Sequence, residues 1–167
     1  MSDSSNFASH SPTWQGKPFS VESYTTGPVF VADTQASRAN KAVFEWHLVS
    51  EWKGDIENTM GTIHRDNPYQ KIPALGVDCN GFDEIRAFYL GRFESWPGPA
   101  LQSFDRVTIT DRIIYVEGKF DVTSTGNELA GLNVAGKSVS TSCMIVLECK
   151  DGLLLGERVY MDKAASS

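Results

Sequence analysis

The sequence changes its pattern at Pro99, and this change constrains the fold more than any other feature. Before this proline, apolar residues recur at the spacing of helices, whereas after it polar and apolar residues alternate as in strands. Residues 113–123 alternate throughout, which is typical of a strand with one solvated and one buried face. Further strands are predicted near residues 101–109, 137–149 and 153–161. Helices followed by a meander of strands predict an α+β domain with an antiparallel sheet.

Three helices are predicted in the first part of the chain. The first begins near Asp33 or Thr34, either of which can cap it, and ends at Gly54. The second is short and begins after Asp55, and a strand interrupted by prolines follows it. The third begins after Gly81 and carries a stripe of aromatic residues up to a proline-rich stretch. We expect these three N-terminal helices to pack on a strongly curved antiparallel sheet and to close it into a cone around a pocket.

Length and charge limit the class of protein and its partners. A chain of 167 residues is the usual size of one domain. The formal net charge of −6 argues against nucleic acid or an anionic membrane as partner, because both require a concentrated basic surface. The sequence contains no apolar run long enough to span a membrane, and its N-terminus is too polar for a signal peptide. A cytoplasmic location is therefore expected.

The sequence predicts neither a cofactor nor a metal site. It has no phosphate-cradling glycine loop, no dinucleotide-binding fingerprint and no pair of histidines at helical metal-binding spacing. Its three cysteines lack the spacing of a zinc site or a disulfide framework. A site built from His47, His64 and a carboxylate is the one metal-binding alternative that this reasoning leaves open.

Three strings in the sequence resemble motifs of one superfamily. HRDNPY at residues 64–69 resembles an HPD segment on a first strand, and GFDEIRAFY at residues 81–89 resembles a helix motif ending in I-R-x-F-(Y/W). DGLLLGERVYMD at residues 151–162 is similar to a terminal strand of the form DGKI-x-E-x-x-x-Y-x-D. In this order and spacing the strings resemble the NTF2-like superfamily, in its SnoaL-like (polyketide-cyclase-like) family, over residues 31–162.

The resemblance implies an organisation and a range of activities. It implies an NTF2-like cone at residues 29–163, preceded by a flexible or clasping N-terminal arm at residues 1–28 and followed by a short tail at residues 164–167. Relatives include dehydratases, isomerases, epoxide hydrolases, cyclases and lyases, and they commonly form homodimers. The resemblance therefore implies a pocket for a small organic molecule and a homodimer, without choosing one reaction.

The sequence departs from the polyketide cyclases of this group at one motif. Those cyclases carry a G-T-H-x-G string whose histidine assists a downstream aspartate. Here the corresponding residues are Thr123, Ser124, Thr125 and Gly126, so that Ser124 takes the place of the histidine. The aldol-type cyclisation of polyketides is therefore not expected, whereas the fold and the pocket are.

The first strand contains the leading candidates for acid–base catalysis. His64 and Asp66 are two residues apart, so that on a strand they share a face, and Tyr69 follows after Pro68. The carboxylate can orient the imidazole and raise its basicity, and the phenol can donate to a substrate oxygen. The alternative is that Asp66 is a solvent-facing turn residue and that His64 is structural.

His47 is the second candidate catalytic residue. It lies on the first helix in a narrow polar strip that also contains Asn40 and Glu51. Either this strip reaches the mouth of the pocket, with Glu51 as partner of His47, or it forms a solvent-exposed edge of the helix.

Substrate-binding residues are predicted mainly from the aromatic side chains. Tyr89, Phe93 and Trp96 on the third helix, together with Phe120, are expected to form the wall of the pocket. Arg158 can hold a carboxylate or an enolate oxygen if its face of the last strand points inward, and is only a surface charge if it points outward. Glu51 is expected to contact the substrate as well.

These residues together predict a function. We expect a small cofactor-independent acid–base enzyme that acts on an apolar, aromatic or polycyclic organic substrate, as a lyase or dehydratase, an isomerase or a cyclase. The alternative is a non-catalytic module that binds a small molecule or dimerises.

Overall fold

The computed structural model describes residues 7–125, 128–129, 132–133, 136 and 138–162. Its four α-helices are α1 (Val21–Tyr24), α2 (Gln35–Lys53), α3 (Ile56–Gly61) and α4 (Phe82–Ser95). Its strands are β1 (Thr13–Trp14), β2 (Lys17–Pro18), β3 (Val29–Val31), β4 (Tyr69–Ile72), β5 (Val77–Asn80), β6 (Leu101–Ile109), β7 (Ile113–Thr123), β8 (Glu128–Leu129), β9 (Leu132–Asn133), β10 (Ser138–Lys150) and β11 (Leu153–Met161). A short 3₁₀ helix, Pro73–Leu75, lies between β4 and β5. The α+β class predicted from the sequence is confirmed.

The main sheet is mixed rather than antiparallel. Its seven strands lie in the order β3-β6-β7-β10-β11-β4-β5, and the four long strands β6, β7, β10 and β11 pair antiparallel as predicted. However, β3 joins β6 in parallel and β4 joins β11 in parallel, so the prediction of an antiparallel sheet is wrong for these two pairings. Parallel pairs connect segments that are distant in the chain, and local patterns carry no signal for them. The predicted strong curvature of the sheet is not confirmed.

The boundaries of the predicted helices follow from their capping residues. The Thr34 side chain accepts a hydrogen bond from the Ser37 backbone N–H at the start of α2. Gly54 ends α2 in a left-handed conformation, with φ 67°, which a glycine adopts without steric cost. Asp55 caps α3 in the same way through the backbone N–H of Asn58. The described residues contain α1 in addition, so the prediction of three N-terminal helices is not confirmed.

The described part of the N-terminal arm packs on the domain of its own chain. Phe19 and Val21 are buried, and the rings of Phe19 and Tyr24 lie 5.2 and 4.7 Å from the ring of Trp52 in α2. The backbone N–H of Val21 donates to Glu45 at 2.8 Å. Glu45, an acidic residue of α2, is only 5% exposed because the arm covers it. Clasping of a partner subunit by this arm stays a prediction.

The hydrophobic core lies between the helices and one face of the sheet. Val43, Phe44 and Leu48 of α2 and Ile85 of α4 are buried against strand residues such as Leu147. None of the described helices is long and apolar enough to cross a bilayer. The predicted tail at residues 164–167 lies outside the described residues.

Candidate active site

A cavity of about 70 Å³ lies between α2, α4 and the sheet. Most of its wall is apolar, with contributions from α2, from α4 and the residues that follow it, and from β4, β6, β7, β10 and β11: Phe44, Leu48, Trp52, Ile72, Phe88, Trp96, Ala100, Leu101, Phe120, Ile145, Leu147, Val159 and Met161. Six polar side chains interrupt this wall, namely His47, Glu51, Gln70, Tyr89, Arg92 and Glu157. A concentration of polar groups in an otherwise apolar cavity is typical of a ligand-binding site.

Regular secondary structure brings these six side chains together. His47 and Glu51 are four residues apart on α2, and Tyr89 and Arg92 are three apart on α4, so each pair shares a helix face. Gln70 and Glu157 lie side by side because Gln70 is paired with Glu157 in the parallel register of β4 and β11. The site therefore rests on rigid elements.

The Tyr89 hydroxyl is the centre of the polar network. Its oxygen lies 3.1 Å from His47 Nε2, 3.3 Å from Gln70 Oε1 and 3.3 Å from Glu157 Oε2. A phenol has one proton, so Tyr89 donates to one of these acceptors at a time. Burial, together with the nearby Glu157 and Glu51, raises the pKa of Tyr89 well above its ordinary value, so the hydroxyl keeps its proton.

The hydrogen bonds of Thr62 fix the tautomer of His47. The Thr62 hydroxyl donates its single proton to the Thr59 carbonyl at 2.6 Å, so it can only accept from His47 Nδ1, which lies 2.7 Å away. The proton of the neutral imidazole is therefore on Nδ1, and the lone pair of Nε2 faces Tyr89. Burial lowers the pKa of His47, with the Glu51 carboxylate opposing this effect and Arg92 adding to it. His47 is thus a neutral imidazole with one defined accepting nitrogen.

Arg92 pairs with Glu51 and holds the end of α4. Its Nη2 lies 2.9 Å from Glu51 Oε1 and donates to the Gly98 carbonyl at 3.0 Å. Its Nη1 donates to the Trp96 carbonyl at 2.7 Å. The other oxygen of Glu51, Oε2, lies 3.6 Å from His47 Nε2. Glu51 therefore carries a negative charge between a guanidinium and the imidazole.

Glu157 is the carboxyl group with the most altered proton affinity in the cavity. Burial and the negative charge of Glu51 raise its pKa from 4.5 to about 7, against the opposing effects of Gln70, Tyr89 and Arg92. Glu157 can therefore be either a proton donor or a proton acceptor near neutral pH.

Five of the residues predicted from the sequence line this cavity: His47, Glu51, Tyr89, Trp96 and Phe120. His47 is only 2% exposed, so the alternative of a solvent-exposed edge is wrong. Phe93 does not line the cavity and lies behind Tyr89, with 5.8 Å between the ring centroids.

The cluster predicted on the first strand lies outside the cavity. His64 Nδ1 accepts from the backbone N–H of Asp66 at 3.1 Å, and His64 Nε2 lies 3.6 Å from Asp151. Asp66 is exposed and pairs with Lys150 at 3.2 Å, as in the turn-residue alternative. The segment before Tyr69 forms a turn instead of a strand, with Asn67 at φ 51°, so the predicted alternation does not apply to it.

Tyr69 and Arg158 lie on the opposite face of the sheet from the cavity. Successive residues of a strand face opposite sides, and their neighbours Gln70 and Glu157 face inward. The Arg158 guanidinium instead lies 5.0 Å from the centre of the Tyr69 ring. Tyr69 also packs against Gly156, where a Cβ atom would overlap its ring.

The sequence reasoning missed four residues of the site: Thr62, Gln70, Arg92 and Glu157. The sequence did contain an indication of Glu157. It shares its strand face with the apolar Val159 and Met161, so its carboxyl group is expected to point inward with them. Among the described residues, no three His, Cys, Asp or Glu side chains are grouped so as to hold a metal ion, and His47 and His64 do not meet.

Comparison with known proteins gives a likeness of structure only. Neither family models nor curated proteins match the sequence significantly. A candidate SnoaL-like polyketide cyclase from a Jannaschia species has a TM-score of 0.63 at 15% identity, over 78% of this chain and 90% of its own. An NTF2-like protein from Anabaena variabilis has a TM-score of 0.62 at 13% identity, over 81% and 97%. A candidate polyketide cyclase from a Silicibacter species has a TM-score of 0.64 at 12% identity, over 78% and 97%.

The chain has the NTF2-like fold of SnoaL-like proteins. This confirms the fold that the three sequence strings implied. At sequence identities this low, the structural similarity establishes only the NTF2-like fold, so the chemistry of the cavity has to be argued from its own residues.

Proposed function

We propose that this chain is a cofactor-independent enzyme that moves a proton within a small organic molecule bound in the cavity. The observation that carries the proposal is the neutral His47, whose Nδ1–H donates to Thr62 and whose Nε2 lone pair therefore faces an apolar cavity beside a Tyr89–Glu157 pair. A base and an acid whose environments alter their proton affinities are the usual requirement for acid–base catalysis. Lyases, isomerases and cyclases share this requirement.

His47 is proposed as the base. Its Nε2 takes a proton from a carbon of the substrate, the C–H bond breaks, and its electron pair moves toward an adjacent oxygen or leaving group. The imidazolium formed lies 3.6 Å from the Glu51 carboxylate, which offsets its charge. His47 Nδ1 keeps its bond to Thr62 throughout, so the ring does not have to turn.

Glu157 is proposed as the acid. In its protonated form it gives a proton to the substrate oxygen or leaving group and becomes a carboxylate. Tyr89 lies between the two catalytic groups, 3.1 Å from His47 Nε2 and 3.3 Å from Glu157 Oε2. By donating to Glu157 while receiving from His47, the Tyr89 hydroxyl returns both groups to their starting states.

A solvent-exchange experiment tests this proposal without knowledge of the natural substrate. Butanone and isobutyraldehyde are incubated with the protein in D₂O, and exchange of the protons next to the carbonyl is followed by NMR. We expect exchange catalysed by the unaltered chain to fall by at least about 100-fold in His47→Gln, because a positioned base contributes on that order. His64→Gln is the matched control and keeps the activity, since His64 lies outside the cavity.

A binding module is the second candidate function. It is favoured by the completeness of the network, because each buried side-chain nitrogen and oxygen among the described residues has a hydrogen-bond partner. Small ketones that bind in the cavity without any accelerated exchange, or full activity in His47→Gln, would favour this candidate over the enzyme.

A homodimer stays part of the proposal. Tyr115, Met144 and Tyr160 are 40%, 39% and 49% exposed on the face of the sheet away from the cavity. Sedimentation of the full chain tests this assembly, with a dimer as the expected result.

A further inference from the structure

The charges around the cavity are not balanced. Two carboxyl groups, Glu51 and Glu157, line it, and Arg92 is the one Lys or Arg among the described residues that do so. Arg92 Nη2 uses its two protons on Glu51 and on the Gly98 carbonyl, and Nη1 donates to the Trp96 carbonyl. These three partners use three of the five N–H groups of the guanidinium and hold it toward Glu51 and the end of α4.

Glu157 has no cation of its own. The groups that face it are Glu51 and His47 from α2, Tyr89 and Arg92 from α4, and Gln70 from β4. From the other neighbouring strand, β10, its register partner is the apolar Leu147, and the Cys143 thiol of this strand stays neutral because burial, Glu157 and Asp105 raise its pKa to about 11. Arg92 forms its ion pair with Glu51 and offsets the charge of Glu157 only in part, so an ionised Glu157 leaves two carboxylates facing one guanidinium.

The remaining polar atoms suit an uncharged oxygen-bearing molecule. The Tyr89 hydroxyl and a protonated Glu157 are donors, whereas His47 Nε2 and Gln70 Oε1 are acceptors. The cavity of about 70 Å³ suits a molecule of a few heavy atoms better than the polycyclic substrate that the sequence expectation included.

We infer that the cavity selects small uncharged molecules with an oxygen acceptor, such as ketones, aldehydes and amides, and that Glu157 excludes carboxylates. The inference rests on the proposed function in taking the same cavity as the substrate site, but it concerns binding and not turnover. Glu157 is thus a specificity-determining residue in addition to its proposed role as acid.

Selectivity against anions depends on pH. Glu157, with a pKa of about 7, is largely protonated one unit below this value and largely ionised above it. An anionic ligand within a few ångströms then meets a second negative charge in a medium of reduced dielectric constant. We expect discrimination against the anion to increase by roughly tenfold between about pH 6 and about pH 8.5.

Three molecules of one shape and different charge provide the test. Isobutyrate, isobutyramide and isobutyramidine carry charges of about −1, 0 and +1 at neutral pH. Their affinities are measured by NMR titration against the unaltered chain, Glu157→Gln and the exposed-residue control Glu94→Gln, at the two pH values. We expect isobutyramide to bind better than isobutyrate, with the ratio increasing with pH in the unaltered chain and in Glu94→Gln but not in Glu157→Gln.

Several results would overturn the inference. Isobutyrate binding as well as isobutyramide at the higher pH, or an unchanged pH dependence in Glu157→Gln, removes Glu157 as the selective group. Tighter binding of isobutyramidine than of isobutyramide at both pH values makes the cavity a cation site. Absence of binding by all three at fragment-screening concentrations shows that the ligand class is wrong.

The binding test and the exchange test fail independently. Selective binding of isobutyramide without proton exchange refutes the proposed enzyme and leaves the inference standing. Exchange that depends on His47, combined with tight binding of isobutyrate, refutes the inference and leaves the enzyme standing.

Discussion

Replacing Glu157 by glutamine should make the protein less sensitive to alkaline pH. Glutamine has nearly the same shape as glutamate and can still accept the hydrogen bond from Tyr89, but it cannot ionise. The difference between the two chains therefore reports the free energy of keeping a charge at this position. The unaltered chain has to ionise Glu157 inside the cavity at high pH, beside Glu51, whereas the variant does not.

The magnitude follows from the pKa of Glu157 in the folded state, which is about 7 instead of the ordinary 4.5. At pH values below the ordinary pKa, Glu157 is protonated in both the folded and the unfolded chain, and it does not affect the free energy of unfolding. Between the two values the unfolded chain releases its proton while the folded chain keeps it, so the free energy of unfolding falls as pH rises. At pH values above the pKa of the folded state, the free energy of unfolding has fallen by its full amount, which is about 3 kcal/mol for a pKa shift of this size.

Urea unfolding at about pH 5 and about pH 8.5 measures this effect. The quantity of interest is the free energy of unfolding of Glu157→Gln minus that of the unaltered chain. We expect it to increase by about 2 to 3 kcal/mol between the two pH values, with other titrating groups cancelling. Glu94→Gln, at an exposed position, is the matched control with no such increase. A difference that stays constant with pH would refute the assignment of Glu157 as a buried, proton-binding carboxyl.

Three other substitutions test the packing around the site. Thr62→Val should lower the free energy of unfolding by about 1 to 3 kcal/mol, because it leaves Nδ1 of His47 without an acceptor. Thr62→Ser keeps the hydroxyl and should restore most of this stability. Nitrogen NMR of the His47 ring should show a changed tautomer in Thr62→Val and not in Thr62→Ser. Glu45→Ala should lower the free energy of unfolding by about 2 to 4 kcal/mol and make the N-terminal arm sensitive to proteolysis. Equal rates of proteolysis in the variant and in the unaltered protein would contradict the role of Glu45 in anchoring the arm. Gly156→Ala should lower the free energy of unfolding by about 1 to 3 kcal/mol, because the added methyl group overlaps the Tyr69 ring. If this overlap is the cause, adding Tyr69→Ala to Gly156→Ala should recover part of the lost stability.

The helices of this fold were predictable because local residues determine their ends. Thr34, Asp55 and Gly54 supply or terminate backbone hydrogen bonds within a few residues, so their effect is visible in the sequence. The long antiparallel strands were predictable for the same reason, through their alternation. The parallel pairing of β4 with β11 was not, because it joins segments whose contact depends on the whole fold.

The candidate site was predicted in part for a related reason. His47 and Tyr89 lie on helices, where residues three or four positions apart share a face, so the sequence shows which residues lie together. On β4 the face depends on where the strand begins, and the turn at Asn67 shifts that beginning to Tyr69. A one-residue difference exchanges the two faces of a strand, so Tyr69 points away from the cavity and Gln70 points into it.

The pairing of Gln70 with Glu157 also has a consequence for how the site comes into being. These two residues are far apart in the chain, and their strands meet in the parallel register of β4 with β11. Contacts of such long range form late in folding, because the loop they close has to be ordered first. A chain still emerging from the ribosome lacks the proposed acid, Glu157, until β11 has been made. The cavity is therefore chemically complete only in a finished molecule.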